Sequence, residues 1–344
     1  MSPPKITLQD VAEKAGVHRA TAARALHNAQ NISLAVRERI QRIAGEMGYR
    51  VNPLVAALMQ SRRSSHAPAQ TVLAFVTNYP TRHGWRPQHA GRPDYFPGAE
   101  ARALELGYKL EHFWLGEPGM TPDRFSDILA TRNIHGLLMG RLPPGTEAAR
   151  LSWERFSCVA LGRTLRTPRL HYVTEDHYAS AALAVRTMVA RGFKRIGFVT
   201  TGLDDSVGVL NRWLGGFLRE QLKLEPKNRV APCLFASAPN SADNPRQFKR
   251  WYDRWKPDAL LVTEMPPFMD WLATLKIRPK TIPTATLVND RSDSGWTGIH
   301  CDHALLGSLA VDTLIGLMVR GETGVPIHPH EVLLTGEWLD GSTL

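Results

Sequence analysis

At 344 residues and 43% hydrophobic content, the chain has room for two or three domains and is too apolar for a disordered protein. Its three cysteines, Cys158, Cys233 and Cys301, stand far apart, which excludes a disulfide framework or a paired-cysteine zinc site. The formal net charge of +10 is uneven: residues 1–63 hold ten Lys/Arg against four acids, a net of +6, and the rest of the chain holds only +4. A small basic region on a near-balanced large one points to nucleic acid for the first and a different partner for the second.

Residues 7–26, TLQDVAEKAGVHRATAARAL, read as two short helices joined by a tight turn. Thr7 and Asp10 have the spacing of a capping box. Val11 and Ala12 open an apolar face, and Ala15-Gly16-Val17 makes the turn, with Gly16 able to take a positive φ. In a second helix over about 19–28, Ala22, Ala25, Leu26 and Ala29 gather on one side at 100° per residue. Arg19, Ala20, Ala23, Arg24 and His27 gather on the other, a small basic face suited to the DNA major groove. Ser33 is placed to cap a third helix over 34–47, with apolar Val36, Ile40, Ile43 and Met47 at helical spacing and Gly48 as its stop. Asn52-Pro53 then opens a short helical segment over 53–59, too short to hold in water without a partner. Residues 60–70 are polar and aperiodic and read as a linker.

Residues 7–60 resemble the headpiece of lactose-repressor-type (LacI/GalR family) transcription regulators. The resemblance is carried by TLQDVAEKAGV, the VRERI of the third helix, MGYRVNP and the AALM of the hinge segment. It implies base readers at Arg19, Ala20 and Arg24, and a minor-groove wedge at Leu58. The DNA-facing set is then Thr7, Arg19, Ala20, Thr21, Arg24, His27, Asn52 and Leu58. Two positions depart from the pattern: His18 stands where a capping Ser or Thr is usual, and Ala23 where Ser is common.

Beyond residue 70, short aliphatic runs alternate with longer amphipathic ones. Strands are expected at 72–77, 108–114, 136–139, 158–161, 195–200, 232–235, 259–263 and 284–288. Helices are expected at 95–106, 122–131, 177–191, 210–222, 245–255 and 303–320, with a closing strand at 331–334. Such alternation implies an α/β fold of two doubly wound lobes with parallel sheets. This part resembles the family's effector domain, which is similar to periplasmic sugar-binding proteins, best over 173–199 and 300–318. The expected domains are a helix-turn-helix headpiece at 1–50, hinge helix and linker at 51–70, and a two-lobed effector-binding and dimerisation domain at 71–344.

Ligands of open parallel sheets lie beyond the carboxyl ends of the strands. Those ends, with the resemblance, give Asn78, Tyr95, Arg141, Asp176, Arg212, Glu264, Asn289 and Asp290 as the effector set. Carboxylates, amides, Arg and an aromatic ring suit a polyhydroxylated ligand. Asp176 matches a ligand-contacting Asp of the family, although a Glu-Asp pair at a helix start also serves as a cap. Glu264-Met265 stands where many members carry Asn-Asp, and Leu287-Val288-Asn289-Asp290 where they carry Gly-aromatic-Asp-Asp, so the ligand differs from those of the best-known members.

No phosphate-binding Gly loop, nucleophile elbow or H-E-x-x-H occurs, so no catalytic residue is expected. His300-Cys301-Asp302-His303 with His328 and His330 matches no standard metal spacing, and no metal or cofactor is expected. The start, MSPPKITLQD, lacks a secretory apolar run, and 304–319 is short of a membrane span, which suggests a cytoplasmic protein without membrane contact. The reading is a homodimeric regulator, a repressor, that binds a pseudo-palindromic operator in double-stranded DNA under control of a carbohydrate-like effector. Its competitors are an α/β sugar-modifying enzyme fused to a DNA-binding headpiece, and a ligand-free dimerisation scaffold.

Overall fold

The computed structural model describes residues 6–26, 32–47, 49, 71–86, 94–143, 145–146, 148–201, 211–235, 241–289 and 295–344. The stop at Gly48, the hinge segment at 53–59, the linker at 60–70 and the site residues His27, Asn52, Leu58 and Asp290 lie outside them.

The headpiece is three helices, α1 (Leu8–Lys14), α2 (Arg19–Leu26) and α3 (Leu34–Glu46). Their core is built from small side chains: Val11, Ala12, Ala15, Ala22, Ala25 and Ala44 close around Ile40, which is fully buried. Small residues let short helices approach closely enough to exclude water. Gly16, at φ +62°, makes the turn from α1 to α2. The cap expected at Ser33 is corrected: Ser33 holds the N-cap position of α3, but its exposed hydroxyl makes no capping bond, and only its backbone carbonyl accepts, from Arg37 N.

The first lobe carries β1 (Thr71–Thr77), α4 (Phe96–Glu105), β2 (Tyr108–Trp114), α5 (Pro122–Thr131), β3 (Gly136–Met139), β4 (Ser157–Leu161) and β5 (His171–Glu175). The second carries α6 (His177–Ala190), β6 (Ile196–Val199), α7 (Arg212–Gln221), α8 (Asn244–Trp255), β7 (Ala259–Glu264), α9 (Met265–Thr274), β8 (Thr284–Val288) and β9 (Thr297–His300). The chain returns to the first lobe through α10 (His303–Arg320) and β10 (Glu331–Leu334), then ends in the second with β11 (Glu337–Leu339). The sheet orders are β10-β5-β4-β3-β1-β2 and β11-β9-β8-β7-β6, parallel except for β11 against β9. The inner strands of both sheets are buried, as parallel ladders covered by helices require.

The chain therefore crosses between lobes after β5, after β9 and after β10. Helix α10 has the length and composition of a membrane span, yet it packs Leu306, Ala310, Val311, Leu314 and Leu317 against the first sheet's Leu73, Phe75 and Val159. Its crossing with α4 is glycine-dependent on both sides. A Cβ at Gly98 would lie 1.8 Å from Ala304 O, and one at Gly307 would lie 2.0 Å from Tyr95 O. This contact presses Tyr95 onto His303 at the lobe junction.

Several expectations are corrected. The strand at 232–235 is only a single bridge, Val199 to Cys233, because Pro232 has no N–H to extend a ladder. Strands β5, β9 and β11 and helix α9 were not foreseen. His171 and Glu175 hide β5 by breaking its apolar run, and both are buried with partners, His330 N for His171 and His303 for Glu175. Helix α9 opens with Met-Pro-Pro, which reads as a breaker, but Pro in the first helical turn loses no hydrogen bond.

Candidate DNA-binding face and interlobe cleft

The recognition face rests on two caps. Thr7 Oγ1 accepts from Asp10 N at 3.3 Å, and Asp10 Oδ2 accepts from Thr7 N at 2.7 Å, the reciprocal box expected from the sequence. The hydrogen bonds from the Thr7 backbone and hydroxyl hold the Asp10 carboxyl below its ordinary range. Thr7 is thus fixed as the cap of α1. The departure at His18 is resolved by its ring: Nδ1 accepts from Ala20 N at 3.3 Å, at the N2 position of α2, where a Ser or Thr oxygen would act. A histidine does this only with Nδ1 deprotonated.

Beyond that cap, Arg19 and Ala20 are exposed, Thr21, Ala23 and Arg24 are half-exposed, and Ala22 and Ala25 face the core. The helix therefore presents the face read from its 100° periodicity. Arg24 Nε donates to Ala20 O at 3.2 Å, which folds the guanidinium along the helix and aims it past Ala20. Arg39 Nη2 donates to Ala15 O at 3.3 Å and ties α3 to the turn.

At the lobe junction the structure assembles a buried polar cluster. Glu175, at the end of β5, accepts from His303 Nε2 at 2.9 Å, and His177 Nε2 lies 3.8 Å from its second oxygen. Tyr95 packs edge-on to His303, with ring centroids 5.3 Å apart, and hydrogen-bonds Arg141. Burial alone would raise the Glu175 carboxyl, but the His303 hydrogen bond and the fields of His177, His303 and Arg141 hold it at about 2. Burial, reinforced by Arg141, Arg163 and Arg212 and opposed by Glu175, pushes His177 down to about 4. Arg163 makes a bidentate pair with Glu331 of β10, Nη1 to Oε1 at 2.6 Å and Nη2 to Oε2 at 2.5 Å. Arg212, the first residue of α7 in the second lobe, reaches the same Oε2 at 3.5 Å. Trp213 beside it stacks edge-on to His177 at 5.1 Å.

The sequence-derived effector residues divide accordingly. Tyr95, Arg141 and Arg212 belong to this cluster. Asp176 caps α6, accepting from Ala179 N at 2.9 Å, and its own N–H donates to Leu334 O at 2.8 Å. Asn289 is 1% exposed and its amide donates to Trp296 O at 2.9 Å. Glu264 is half-buried at the end of β7, its backbone held by Thr201 Oγ1. Asn78 is half-buried just past β1. Glu331, His177, His303 and Trp213 were missed, because nothing local in sequence marks them; Glu331 pairs with a residue 168 positions away.

The His300–His303 run has structural duties. His300 Nδ1 contacts Asn289 O, Cys301 is buried, Asp302 caps α10 and His303 serves Glu175. Among the described residues no group of three or more His, Cys, Asp or Glu is arranged to hold a metal ion. A recess of about 430 Å³ against α5, lined by Arg124, Asp127, Ile128, Thr131 and Arg132, is formed by exposed and half-exposed side chains outside this cluster.

The described chain is therefore a helix-turn-helix unit followed by two parallel-sheet lobes. Comparison with known proteins agrees. The family model for bacterial regulatory proteins of the lacI family matches residues 7–52, and that for a periplasmic binding protein-like domain matches 185–344. The HTH-type transcriptional repressor CytR of Escherichia coli K12 is 28% identical over 197 residues, 56% of this chain and 53% of the relative. The HTH-type transcriptional regulator CelR of Thermobifida fusca is 26% identical over 206 residues, 59% of this chain and 58% of the relative. The chain spans about half the length of the curated relatives it matches. A crystal structure of the Lac repressor dimer bound to operator and the anti-inducer ONPF superposes with a TM-score of 0.54 at 20% identity, covering 99% of both chains. A CelR–cellobiose complex gives 0.52 at 19% identity over 98% of this chain and 100% of that one. Residues 7–52 thus carry a lacI-family domain and residues 185–344 a periplasmic binding protein-like domain. The two curated relatives are named as a transcriptional repressor and a transcriptional regulator.

Proposed function

We propose that this protein is a sequence-specific transcription regulator, a cytoplasmic homodimeric repressor, whose operator affinity is set by a small ligand between the two lobes. The observation that carries the reading is the capped α2 helix with Arg19, Ala20, Thr21 and Arg24 on its outer face, within the stretch that matches the lacI-type DNA-binding model. Two headpieces read two half-sites of a near-palindrome, since operator symmetry mirrors protein symmetry. Arg19 and Arg24 contact base edges or the neighbouring phosphates, and Leu58 and Asn52 belong to a hinge that enters the minor groove. The ligand is a sugar or sugar derivative. It acts by binding one arrangement of the lobes better than another, and shifts nothing without that difference.

The test is operator binding by the full chain at fixed salt. Arg24→Ala should relax preference at one base position at a cost of about 1–3 kcal/mol. Leu58→Ala should lose specific affinity while keeping most of the salt-sensitive non-specific binding. Equal loss of both kinds of binding in L58A contradicts the hinge role, and unchanged base preference in R24A moves Arg24 to the phosphate contacts.

A further inference from the structure

Among the described residues, the lobe junction is richer in donors than in acceptors. It gathers three guanidiniums, Arg141, Arg163 and Arg212, against two carboxylates, Glu175 and Glu331. Both carboxylates are already matched. Glu175 is hydrogen-bonded by His303, and Glu331 is held on both oxygens by Arg163. Arg212 is left with the weaker share of an oxygen that Arg163 already holds at 2.5 Å, its own contact being 3.5 Å. A guanidinium that forms a two-pronged pair does so at clearly shorter range.

The neighbouring N–H groups tell the same story. Trp213 is 1% exposed, and its indole Nε1 is buried without a hydrogen-bond partner. Arg163 is 6% exposed, and its Nε is likewise buried and without a partner. Buried donors without acceptors are rare in native proteins and ask for an explanation. A neutral sugar hydroxyl both donates and accepts, so it draws equally on carboxylates and guanidiniums. Excess cation together with orphaned donors selects a group that only accepts.

Resting on the effector reading above, we infer that the ligand is an acidic carbohydrate, whose carboxylate or phosphate is held by Arg212 and Trp213 of the second lobe and Arg163 of the first. Because those residues come from both lobes, the anion bridges the junction, and Glu331 is its competitor for Arg212. A neutral sugar lacks the group that makes this bridge.

The experiment is calorimetric titration and thermal unfolding of the full chain at constant ionic strength. The probes are glucuronate and gluconate, glucose 6-phosphate, neutral glucose and cellobiose, and inorganic phosphate. The expected result is binding of one acidic class at least about tenfold tighter than the neutral sugars, and at least about tenfold weaker binding in Arg212→Gln. Arg186→Gln, which removes an exposed cation paired with Glu220 on the helix α6–α7 face, should keep the response. The uronate and phosphate arms decide which anion is carried. Neutral sugars binding as well as acids, acids binding R212Q undiminished, or inorganic phosphate matching the sugar acids would each overturn the proposal while leaving the effector reading in place. No response to any probe, with operator binding intact, would overturn both.

Discussion

The headpiece and the lobe junction place their working residues in opposite ways. In the headpiece the core is a handful of alanines around Ile40, and the groups that meet a partner project outward from one short helix. At the junction the working groups are buried (Arg163, Glu175, His177, His303) or half-buried (Arg141, Arg212, Glu331), and the ion pairs join distant parts of the chain. Glu175 meets His303 across 128 positions, and Arg163 meets Glu331 across 168. A local surface tolerates substitution, and the proposed reading of DNA depends on its spacing. An interior charge network fixes the geometry of two lobes and tolerates little.

That contrast can be broken most severely at Glu331. Glu331→Gln leaves the buried Arg163 side chain without its counter-charge. The expected loss is about 3–5 kcal/mol of unfolding free energy, measured by urea denaturation. A loss below about 1 kcal/mol would show that water reaches the pair and that the junction is softer than its geometry implies.

Next is the close crossing of α4 and α10. Gly307→Ala puts a methyl 2.0 Å from Tyr95 O, backbone that has no room to move without shifting Tyr95 off His303. The expected cost is about 3 kcal/mol, with ligand response lost before the fold is. Calorimetry with and without ligand separates the two effects.

The junction also carries a pH dependence from buried ionisable groups, whereas the described buried residues of the headpiece core are all apolar. His177 sits at about 4 in the folded protein against 6.5 when exposed, so it stays neutral where the unfolded chain takes up a proton. Its contribution is complete above about pH 6.5 and declines as pH falls towards 4, by about 1–3 kcal/mol. Glu175, held at about 2 against 4.5, adds a loss of the same sign only below pH 4.5. Unfolding free energies at pH 7.0 and 4.5 should differ by that first amount, and His177→Gln should flatten the slope. A slope unchanged in H177Q would assign it to other groups, His112 among them, which burial also pushes down to about 4.

The smallest effect belongs to the headpiece. His18→Ala removes the ring nitrogen that caps α2 and should cost about 1 kcal/mol, while His18→Ser should restore it. Equal stability of H18A and wild type would show that the ring is not needed as a cap.

How much was legible in the sequence follows the same divide. Thr7 with Asp10, Gly16 at the turn, and Ala22 and Ala25 against Arg19 and Arg24 depend on separations of a few residues, so periodicity and capping rules located them. The alternation of strands and helices also gave the two-lobed parallel architecture. The cap supplied by His18 escaped, because a histidine caps only through one nitrogen in one tautomer, and no spacing rule reports that. Strand β5 escaped because His171 and Glu175 look like loop residues until the partners that bury them are known. Glu331 and Trp213 escaped for the same reason. Asp176 was readable both as a ligand contact and as a cap; its side chain is engaged by Ala179 N, so the cap is the role its geometry now supports.

The proposed reading of a DNA sequence by α2 is tested by site selection from random double-stranded DNA with the full chain at physiological salt. The expected result is enrichment of an inverted repeat, bound roughly a thousandfold or more tighter than a scrambled duplex. Equal affinity for selected and scrambled duplexes, with both falling alike as salt rises, would reduce α2 to a non-specific basic surface and contradict it.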